Sequence, residues 1–404
     1  MKKIILIALL VSVVVLVAGI IFFELDPENT NINYKPANAQ NETDKTIRFD
    51  KNGKLKILHI ADTHLNYDKH FDASIWVIAE ACDVEKPDLV VLTGDNTHPN
   101  EDPEKTKKLI NALMNIFESR KIPVAVTFGN HDSEGGPMTR EDIMEYYNTF
   151  SCVISTDNSE NFKNCATFNI PVLASDSDKV NFNLWVFDSG DYDEDEPRHY
   201  DRVRTEQIEW YKETSAKLKE ENGGETVNSV VFQHIIVPEI YDVLKKVDSK
   251  KLFSEKHLYN ENEYYMFDPE NTNYGTLNEY PGPGYYNDGQ FDALVENGDV
   301  LAMFTGHDHT NAFGVRNQNI DIYTSPMTRY KGLAYTTQYG YRVVEIDEKD
   351  TSTYETRVER LYDVFDFSYI KTAKDNGDKY STRLAFELAV KGTVQEGFMK
   401  LYQS

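Results

Sequence analysis

Short apolar runs alternate with amphipathic stretches through most of this chain. The short runs are rich in β-branched residues, which is typical of strands buried on both faces. These predicted strands cover residues 57–61, 89–93, 124–128, 182–187, 230–233, 301–305, 320–324 and 341–346. Predicted helices, with apolar residues at helical spacing, cover residues 73–85, 103–119 and 205–221. The alternation predicts an α/β fold whose first strands are parallel.

The N-terminus carries a long apolar run at residues 4–23, interrupted only by Ser12 and Gly19. It is long enough to cross a bilayer of roughly 30 Å, so residues 1–24 are predicted to form a membrane anchor. Because Lys2 and Lys3 precede the run, the remaining chain is expected to be extracytoplasmic. The alternative is a signal peptide whose cleavage releases a secreted protein.

The rest of the chain divides by composition. Residues 25–44 are polar and aperiodic and are predicted to be a linker, residues 45–350 an α/β domain, and residues 351–404 a C-terminal extension packed on that domain. Residues 259–288 are rich in Tyr, Asn, Pro and Gly, and predict a long loop on the face of the site. Cys152 and Cys165 form either one disulfide or two separately buried thiols.

The charge balance excludes one class of partner. The 42 Lys and Arg residues face 67 Asp and Glu residues, which gives a net charge of −25. A basic surface for nucleic-acid phosphates is therefore not expected. A small phosphorylated substrate remains compatible, because bound cations reverse the local potential that an anion meets.

Five of the predicted strands are followed by residues of the types that commonly bind metal ions. Their motifs are Asp62-Thr63-His64, Gly94-Asp95-Asn96, Gly129-Asn130-His131-Asp132, the single His234, and Gly306-His307-Asp308-His309. Alone, Asp-x-His occurs by chance, Gly-Asn is also a common turn, and one histidine is more often a core residue. Their recurrence at strand ends predicts that the side chains converge on one sheet edge.

There are more candidate donors than one metal ion needs. They are Asp62, His64, Asp95, Asn130, His234, His307 and His309. Oxygen and nitrogen donors without thiolate suit two divalent or trivalent ions of Mn, Fe or Zn. Two such ions favour hydrolysis of phosphate esters by attack of metal-bound hydroxide. His131 is left free to protonate the leaving group, with Asp95 or Asp132 to orient it.

In this order, the motifs resemble those of the calcineurin-like metallophosphoesterase superfamily, over roughly residues 55–346. The resemblance implies a four-layer αββα sandwich of mixed sheets. It also implies a catalytic role for His131 and two sets of ligands. The first set would be Asp62, His64, Asp95 and His309, and the second would be Asp95, Asn130, His234 and His307.

Within that superfamily, the chain is similar to membrane or secreted phosphoesterases related to purple acid phosphatases. Those enzymes carry a tyrosine ligand three residues after the aspartate of Gly-Asp, where this chain has His98. The difference argues against a purple iron-tyrosinate centre. His98 either contacts substrate or metal or, as the following Pro99 favours, lies on an exposed loop.

For the other candidate residues, the sequence leaves two possible roles open. Arg329 and Lys331 would bind phosphate oxygens or be solvated surface charges. Tyr280, Tyr285 and Tyr286 would form a substrate lip or pack on their own domain.

The sequence thus predicts a dinuclear metal-dependent phosphoesterase, with phosphomonoesters as favoured substrates. The alternatives are a nucleotide or cyclic phosphodiester hydrolase and, from another class, a catalytically silent cell-envelope binding protein on the same fold.

Overall fold

The computed structural model describes residues 43–361, except residues 69, 159, 252 and 331–337. The predicted membrane anchor, nearly all of the linker and most of the C-terminal extension lie outside these residues. Among the residues described, no helix has the length and apolar character needed to cross a membrane. The N-terminal anchor therefore stays a prediction.

The described chain contains fifteen strands and six helices. In chain order, the strands are β1 (Lys54–Ile60), β2 (Leu89–Leu92), β3 (Val124–Val126), β4 (Phe168–Leu173), β5 (Val180–Phe187), β6 (Ser229–Gln233), β7 (Leu244–Val247), β8 (Glu255–His257), β9 (Asn260–Phe267), β10 (Thr272–Thr276), β11 (Val300–Thr305), β12 (Ala312–Asn317), β13 (Ile320–Thr324), β14 (Gly340–Asp347) and β15 (Glu355–Arg360). The helices are α1 (Phe71–Glu85), α2 (Pro103–Arg120), α3 (Arg140–Tyr147), α4 (Thr205–Glu221), α5 (Ile240–Val243) and α6 (Gln290–Asn297).

Most of the strands form two mixed sheets. The first has the order β15-β14-β1-β2-β3, with β1, β2 and β3 parallel and β14 and β15 antiparallel. The second has the order β10-β12-β13-β11-β6-β5-β4, and its four central strands, β13, β11, β6 and β5, are parallel. A small antiparallel sheet with the order β7-β9-β8 is inserted between β6 and β10.

The two large sheets pack face to face, because their strands are apolar on both sides. In β1, Leu58 and Ile60 pack on the cluster that includes α1 and α2, whereas Leu55 and Ile57 contact residues of the second sheet. Side chains alternate between the faces of a strand, so a strand with helices on one side and a sheet on the other is apolar throughout. Helices α4 and α6 cover the far face of the second sheet. The layers are those of the metallophosphoesterase fold that the resemblance implies.

Local signals explain where the best predicted helices begin. Helix α2 starts with Pro103, and the Asp102 side chain accepts a hydrogen bond from the Glu104 backbone N–H at 3.0 Å. This is an expected N-cap followed by proline at the first helical position. Helix α4 has the predicted bounds.

Two expectations from the sequence need correction. The predicted loop at residues 259–288 is wrong in its first half, where β9 and β10 form. The side chains of these strands are partly exposed and mostly polar, so the sequence lacks the apolar run that indicates a buried strand. Cys152 and Cys165 are unpaired, buried thiols in the helix-facing core, so they form no disulfide with each other.

Candidate metal centre

The five motifs follow strands of both large sheets. Asp62, Asp95 and Asn130 lie after β1, β2 and β3 of the first sheet, and His234 and His307 lie after β6 and β11 of the second. The expectation of one sheet edge is therefore too simple, because the donors converge from two facing sheets. A site at the carboxyl ends of parallel strands is common in α/β proteins.

The backbone is left-handed at four of the candidate donors. The φ angles are 54° at Asp62, 40° at His64, 51° at Asp95 and 71° at His307. This conformation is uncommon for residues with a Cβ and persists only where surrounding contacts enforce it. Here the contacts include hydrogen bonds from the His64 backbone N–H to Asp95 O at 2.7 Å and from the His307 backbone N–H to the Asp62 carboxylate at 3.0 Å.

Glycines allow the loops to approach this closely. A Cβ on Gly94 would lie 2.1 Å from the backbone nitrogen of Gly129, and one on Gly129 would lie 2.2 Å from Asp95 Oδ1. A Cβ on Gly306 would lie 2.7 Å from Asp62 Oδ2. The contacts leave no room for any side chain at the first two positions, since backbone atoms or a buried carboxylate occupy the space.

Asp132 ties the loops after β2 and β3 together. Its buried carboxylate accepts backbone hydrogen bonds from Asp95 at 2.7 Å, Asn96 at 2.9 Å, Thr97 at 3.3 Å and Gly129 at 2.8 Å. Burial and the neighbouring charge of Asp95 raise the pKa of Asp132 to about 6. The group is ionised at neutral pH, where charge-assisted hydrogen bonds of this kind are strongest.

The first donor set is Asp62, His64, Asp95 and His309, whose donor atoms all lie within 4.8 Å of one another. His64 Nε2 is 3.0 Å from His309 Nε2 and 3.3 Å from Asp95 Oδ2, and His309 Nε2 is 3.6 Å from Asp62 Oδ1. Ligands bonded to one transition-metal ion at about 2.0–2.2 Å have this mutual spacing. Burial raises the pKa of Asp62 to about 8, and a bound cation would replace the proton held there.

The second donor set surrounds His234. Its Nε2 atom lies 3.4 Å from Asp95 Oδ2 and 3.2 Å from Asn130 Oδ1, and the His307 ring lies 5.0 Å away between centroids. Asp95 Oδ2 therefore faces both sets. This buried oxygen accepts no hydrogen bond from any residue that the structure describes. Such an oxygen is expected to have a partner, and a cation fits the surrounding donors.

Burial keeps most of the imidazoles in the form that binds metal. It lowers the pKa of His64 and His307 well below the usual range and that of His309 to about 4. Burial opposes the charge on His234, but the Asp95 carboxylate raises the pKa of His234 to about 9. Metal binding requires neutral imidazole, so His234 would release a proton when a cation binds.

His234 is oriented from behind by Thr93. Its Nδ1 atom donates to the Thr93 carbonyl oxygen at 3.0 Å, which leaves Nε2 facing Asp95 and Asn130. The Thr93 hydroxyl in turn contacts His59 Nε2 at 2.7 Å, in the interior between the sheets. A carbonyl acceptor of this kind fixes the ring and the tautomer of a metal-binding histidine.

His131 lies at the open side of the two sets, with its side chain 29% exposed. Its ring centroid is 5.4 Å from that of His64, and its backbone N–H donates to Asp95 Oδ1 at 2.7 Å. The side-chain Nδ1 atom is paired with the Glu134 carboxylate. The expectation that Asp95 or Asp132 orients this imidazole is therefore wrong. Glu134 lies three residues after His131 in the sequence, and this short spacing could have indicated the pair.

Tyr192 is a second residue that the sequence did not indicate. Its hydroxyl accepts a hydrogen bond from Asn130 Nδ2 at 3.1 Å, which turns Asn130 Oδ1 towards His234. Burial raises the pKa of Tyr192, so the group stays a neutral phenol. It lies far from Asn130 in the sequence and follows no metal-binding motif, so no local pattern could have identified it.

Two of the three predicted substrate residues, His98 and Arg329, lie among the described residues and contact the loop after β1. His98 is half-buried, with Nε2 3.2 Å from His64 Nδ1, rather than on an exposed loop. Arg329 is only 4% exposed; it donates to the His64 carbonyl at 2.6 Å and pairs with Asp68. It is therefore not a solvated surface charge, and it braces the loop after β1; its proposed contact with phosphate stays a prediction. Lys331 lies outside the described residues.

Comparisons with known proteins identify the family of this chain. A family model described as calcineurin-like phosphoesterase matches residues 55–311. The protein named "Probable inactive purple acid phosphatase 29" from Arabidopsis thaliana is 29% identical over 309 residues, which are 69% of this chain and 72% of that protein. Phosphatase DCR2 from Saccharomyces cerevisiae is 27% identical over 219 residues, 48% of this chain and 36% of that protein. The similarity to purple acid phosphatases is therefore confirmed.

Another relative and one solved structure extend the comparison. "Probable inactive purple acid phosphatase 14" from Arabidopsis thaliana is 28% identical over 347 residues, 76% of this chain and 79% of that protein. The crystal structure of a dimetal phosphatase from Danio rerio is 12% identical, with a TM-score of 0.49, and covers 72% of this chain and 92% of that one.

The brace formed by Asp132 can be tested by replacing its carboxylate with an amide. We expect Asp132→Asn to lower the free energy of unfolding by roughly 2–3 kcal/mol, because an NH₂ group then faces backbone N–H donors. Urea denaturation measures the change. Asp178→Asn is the control; this side chain is 89% exposed in its ion pair with Arg48, and we expect a change within about 0.5 kcal/mol. Equal stability of both variants would contradict the brace.

Proposed function

Because this chain belongs to the calcineurin-like phosphoesterase family, we propose that it is a dinuclear metal-dependent phosphoesterase that hydrolyses phosphate esters, phosphomonoesters above all. The observation that carries the proposal is the position of Asp95 Oδ2. This oxygen lies 3.3 Å from His64 Nε2 and 3.4 Å from His234 Nε2, and no described residue donates a hydrogen bond to it. One carboxylate oxygen thus faces a histidine of each donor set.

In this proposal, Asp62, His64, Asp95 and His309 hold one ion, and Asp95, Asn130, His234 and His307 hold the other. Mn, Fe and Zn all suit oxygen and nitrogen donors. When bound, two such ions activate water and neutralise charge on the phosphate oxygens. The absence of thiolate among the donors agrees with a catalytic rather than a structural zinc-cysteine site.

His131 would act as the general acid. Its Nδ1 atom is engaged by Glu134, so Nε2 is the nitrogen left to protonate the leaving oxygen. The Glu134 carboxylate holds the orientation of the ring, as an acidic partner does for a catalytic histidine. The His131 backbone N–H, bonded to Asp95 Oδ1, fixes the distance between the acid and the donor sets.

The second candidate function is a catalytically silent binding protein. Two relatives from Arabidopsis thaliana are named probable inactive purple acid phosphatases, which is the observation that favours it. Against it, the donor atoms of the first set lie within 4.8 Å of one another, and His234 Nε2 of the second set lies 3.4 Å from Asp95 Oδ2 and 3.2 Å from Asn130 Oδ1. Five of the seven donors are buried. A buried cluster of carboxylates and imidazoles costs stability without a bound cation, so these donors support metal binding, which the enzymatic proposal requires. Within the enzyme class, nucleotides and cyclic phosphodiesters are the alternative substrates.

We also propose that residues 1–24 anchor the protein in a membrane, with the domain extracytoplasmic. The proposal rests on the apolar run at residues 4–23 and the lysines before it. Release of the domain by signal cleavage is the alternative.

The enzymatic proposal is tested with the purified full-length chain supplied in turn with Mn, Fe and Zn. We expect it to hydrolyse aryl phosphate monoesters, with slower turnover of aryl diesters. Released aryl alcohol and phosphate are the measurements. Bound metal without turnover of either ester would favour the binding protein instead.

Replacement of His131 separates proton transfer from metal binding. We expect His131→Ala to reduce kcat roughly 100- to 10,000-fold, which is the usual contribution of a general acid, while the bound metal is retained. His70→Ala is the matched control, because that ring packs on Tyr330 rather than on the donor sets. Loss of metal from the His131 variant would overturn the assigned role.

The shared carboxylate predicts a difference in metal content. We expect Asp95→Asn to lose both ions, because the bridging charge serves both sets, and His309→Gln to lose only the ion of the first set. Elemental mass spectrometry counts the ions per chain. If Asp95→Asn kept one ion at full occupancy, the bridge would be wrong.

A further inference from the structure

Tyrosines line the side of the centre formed by the second donor set. The Tyr200 ring meets the His307 ring edge to face, with 4.3 Å between centroids. Tyr192, which bonds Asn130, stacks on Tyr200 at 5.7 Å. The Tyr285 backbone N–H donates to the Tyr200 carbonyl oxygen at 3.2 Å, so the loop that carries Tyr280 lies beside Tyr200.

The loop at residues 277–289, between β10 and α6, is held directly against His307. A Cβ on Gly282 would lie 2.9 Å from His307 Nε2, and the Gly282 backbone N–H donates to Asp308 Oδ1 at 3.0 Å. Hydroxyl groups fix the residues on either side: Tyr241 donates to the Pro281 carbonyl at 2.8 Å, and Tyr259 to the Pro283 carbonyl at 2.9 Å. The position of this loop beside the donors is therefore built into the fold.

The same loop presents tyrosines to solvent. Tyr280 is 37% exposed, Tyr285 46% and Tyr286 41%. The other exposed large apolar side chains of the described chain, Tyr67, Val84 and Phe253, lie on separate segments. Exposed aromatic residues gathered beside a site mark a contact surface for a ligand.

The three tyrosine rings differ in the side chains that contact them. His199 stacks on Tyr285 with 3.8 Å between centroids, and the Arg202 guanidinium lies 5.2 Å from the Tyr286 centroid. The Lys256 ammonium lies 5.9 Å from the Tyr280 ring centroid. Tyr280 is two residues from Gly282, which lies against His307, so this tyrosine is on the same side of the centre.

We propose that Tyr280 and Tyr200 form a subsite for a flat ring carried by the leaving group of the phosphate ester. The substrate class is then a phosphomonoester with a nucleobase or aryl ring, such as a nucleoside monophosphate. Tyrosine rings stack on such rings, and the cationic Lys256 beside Tyr280 favours an anionic ester over a cationic one. The inference rests on the proposed function, since it assigns the leaving-group side of the same centre.

The test compares adenosine 5′-monophosphate with ribose 5-phosphate, which have the same phosphate ester and differ by the base. With the full-length, metal-loaded chain, we expect kcat/KM to be roughly 5- to 100-fold higher for the nucleotide, because stacking of one base on an aromatic side chain has about this value. The difference should lie mainly in KM.

Variants locate the preference on the tyrosine ring. Tyr280→Ala should lower kcat/KM for the nucleotide about tenfold more than for ribose 5-phosphate, whereas Tyr280→Phe, which keeps the ring, should retain the preference. Tyr67→Ala is the matched control: it removes a tyrosine that is 53% exposed and packs on Phe71, and the ratio of the two substrates should not change.

Two results would overturn the subsite: equal kcat/KM for both substrates in the unmodified chain, or an unchanged ratio in Tyr280→Ala. Hydrolysis of both substrates at equal rates would reject the subsite and leave the phosphoesterase proposal standing. If neither were hydrolysed, the aryl esters would decide the phosphoesterase proposal, and equilibrium dialysis of both compounds would still decide the subsite. Tighter binding of the nucleotide, lost in Tyr280→Ala, supports it, and equal binding rejects it.

Discussion

The contact between the loops after β2 and β3 is the constraint on which the centre depends. Their backbones touch at Gly94 and Gly129, and the Asp132 carboxylate gathers backbone N–H groups from both loops. Only this approach brings Asp95 within reach of imidazoles that come from the other sheet. Without it, the two sheets would still pack, but the oxygen shared by the two donor sets would have no fixed position.

The interior between the sheets continues this support away from the opening of the site. Arg342 is fully buried and donates from Nε to Ser325 Oγ at 2.9 Å and from a guanidinium N–H to the Thr324 carbonyl at 2.8 Å. Ser325 also contacts His59, which reaches the threonine that orients His234. A connected set of polar groups thus runs beneath the centre, and each member has a partner, which is the condition for burying polar groups without a large loss of stability.

The sequence predicted those parts of the molecule that are governed by local patterns. Buried parallel strands appear in the sequence as apolar runs, and Pro103 after Asp102 indicates the start of a helix. The strands of the core and the main helices could therefore be predicted from the sequence. The motifs at the strand ends predicted seven candidate donors, and the fold brings four of them within 4.8 Å of one another. The misread parts depend on tertiary contacts: polar residues of β9 form a strand because β7 and β8 pair with it, and Arg329 is buried because the loop after β1 folds over it. Tyr192 reaches Asn130 only through the folded chain, which no spacing rule describes.

The contact at Gly94 and Gly129 also bears on how sequences of this kind can diverge. The atoms that exclude a Cβ at Gly94 belong to the backbone, so no substitution at the facing position can create the missing space. The two glycines should therefore appear in an alignment as two unchanging columns, not as a pair that covaries. They would persist for reasons of folding even in a descendant that had lost its metal ions and its catalysis. The two glycines therefore indicate the fold, whereas the donors and His131 are the residues that indicate activity.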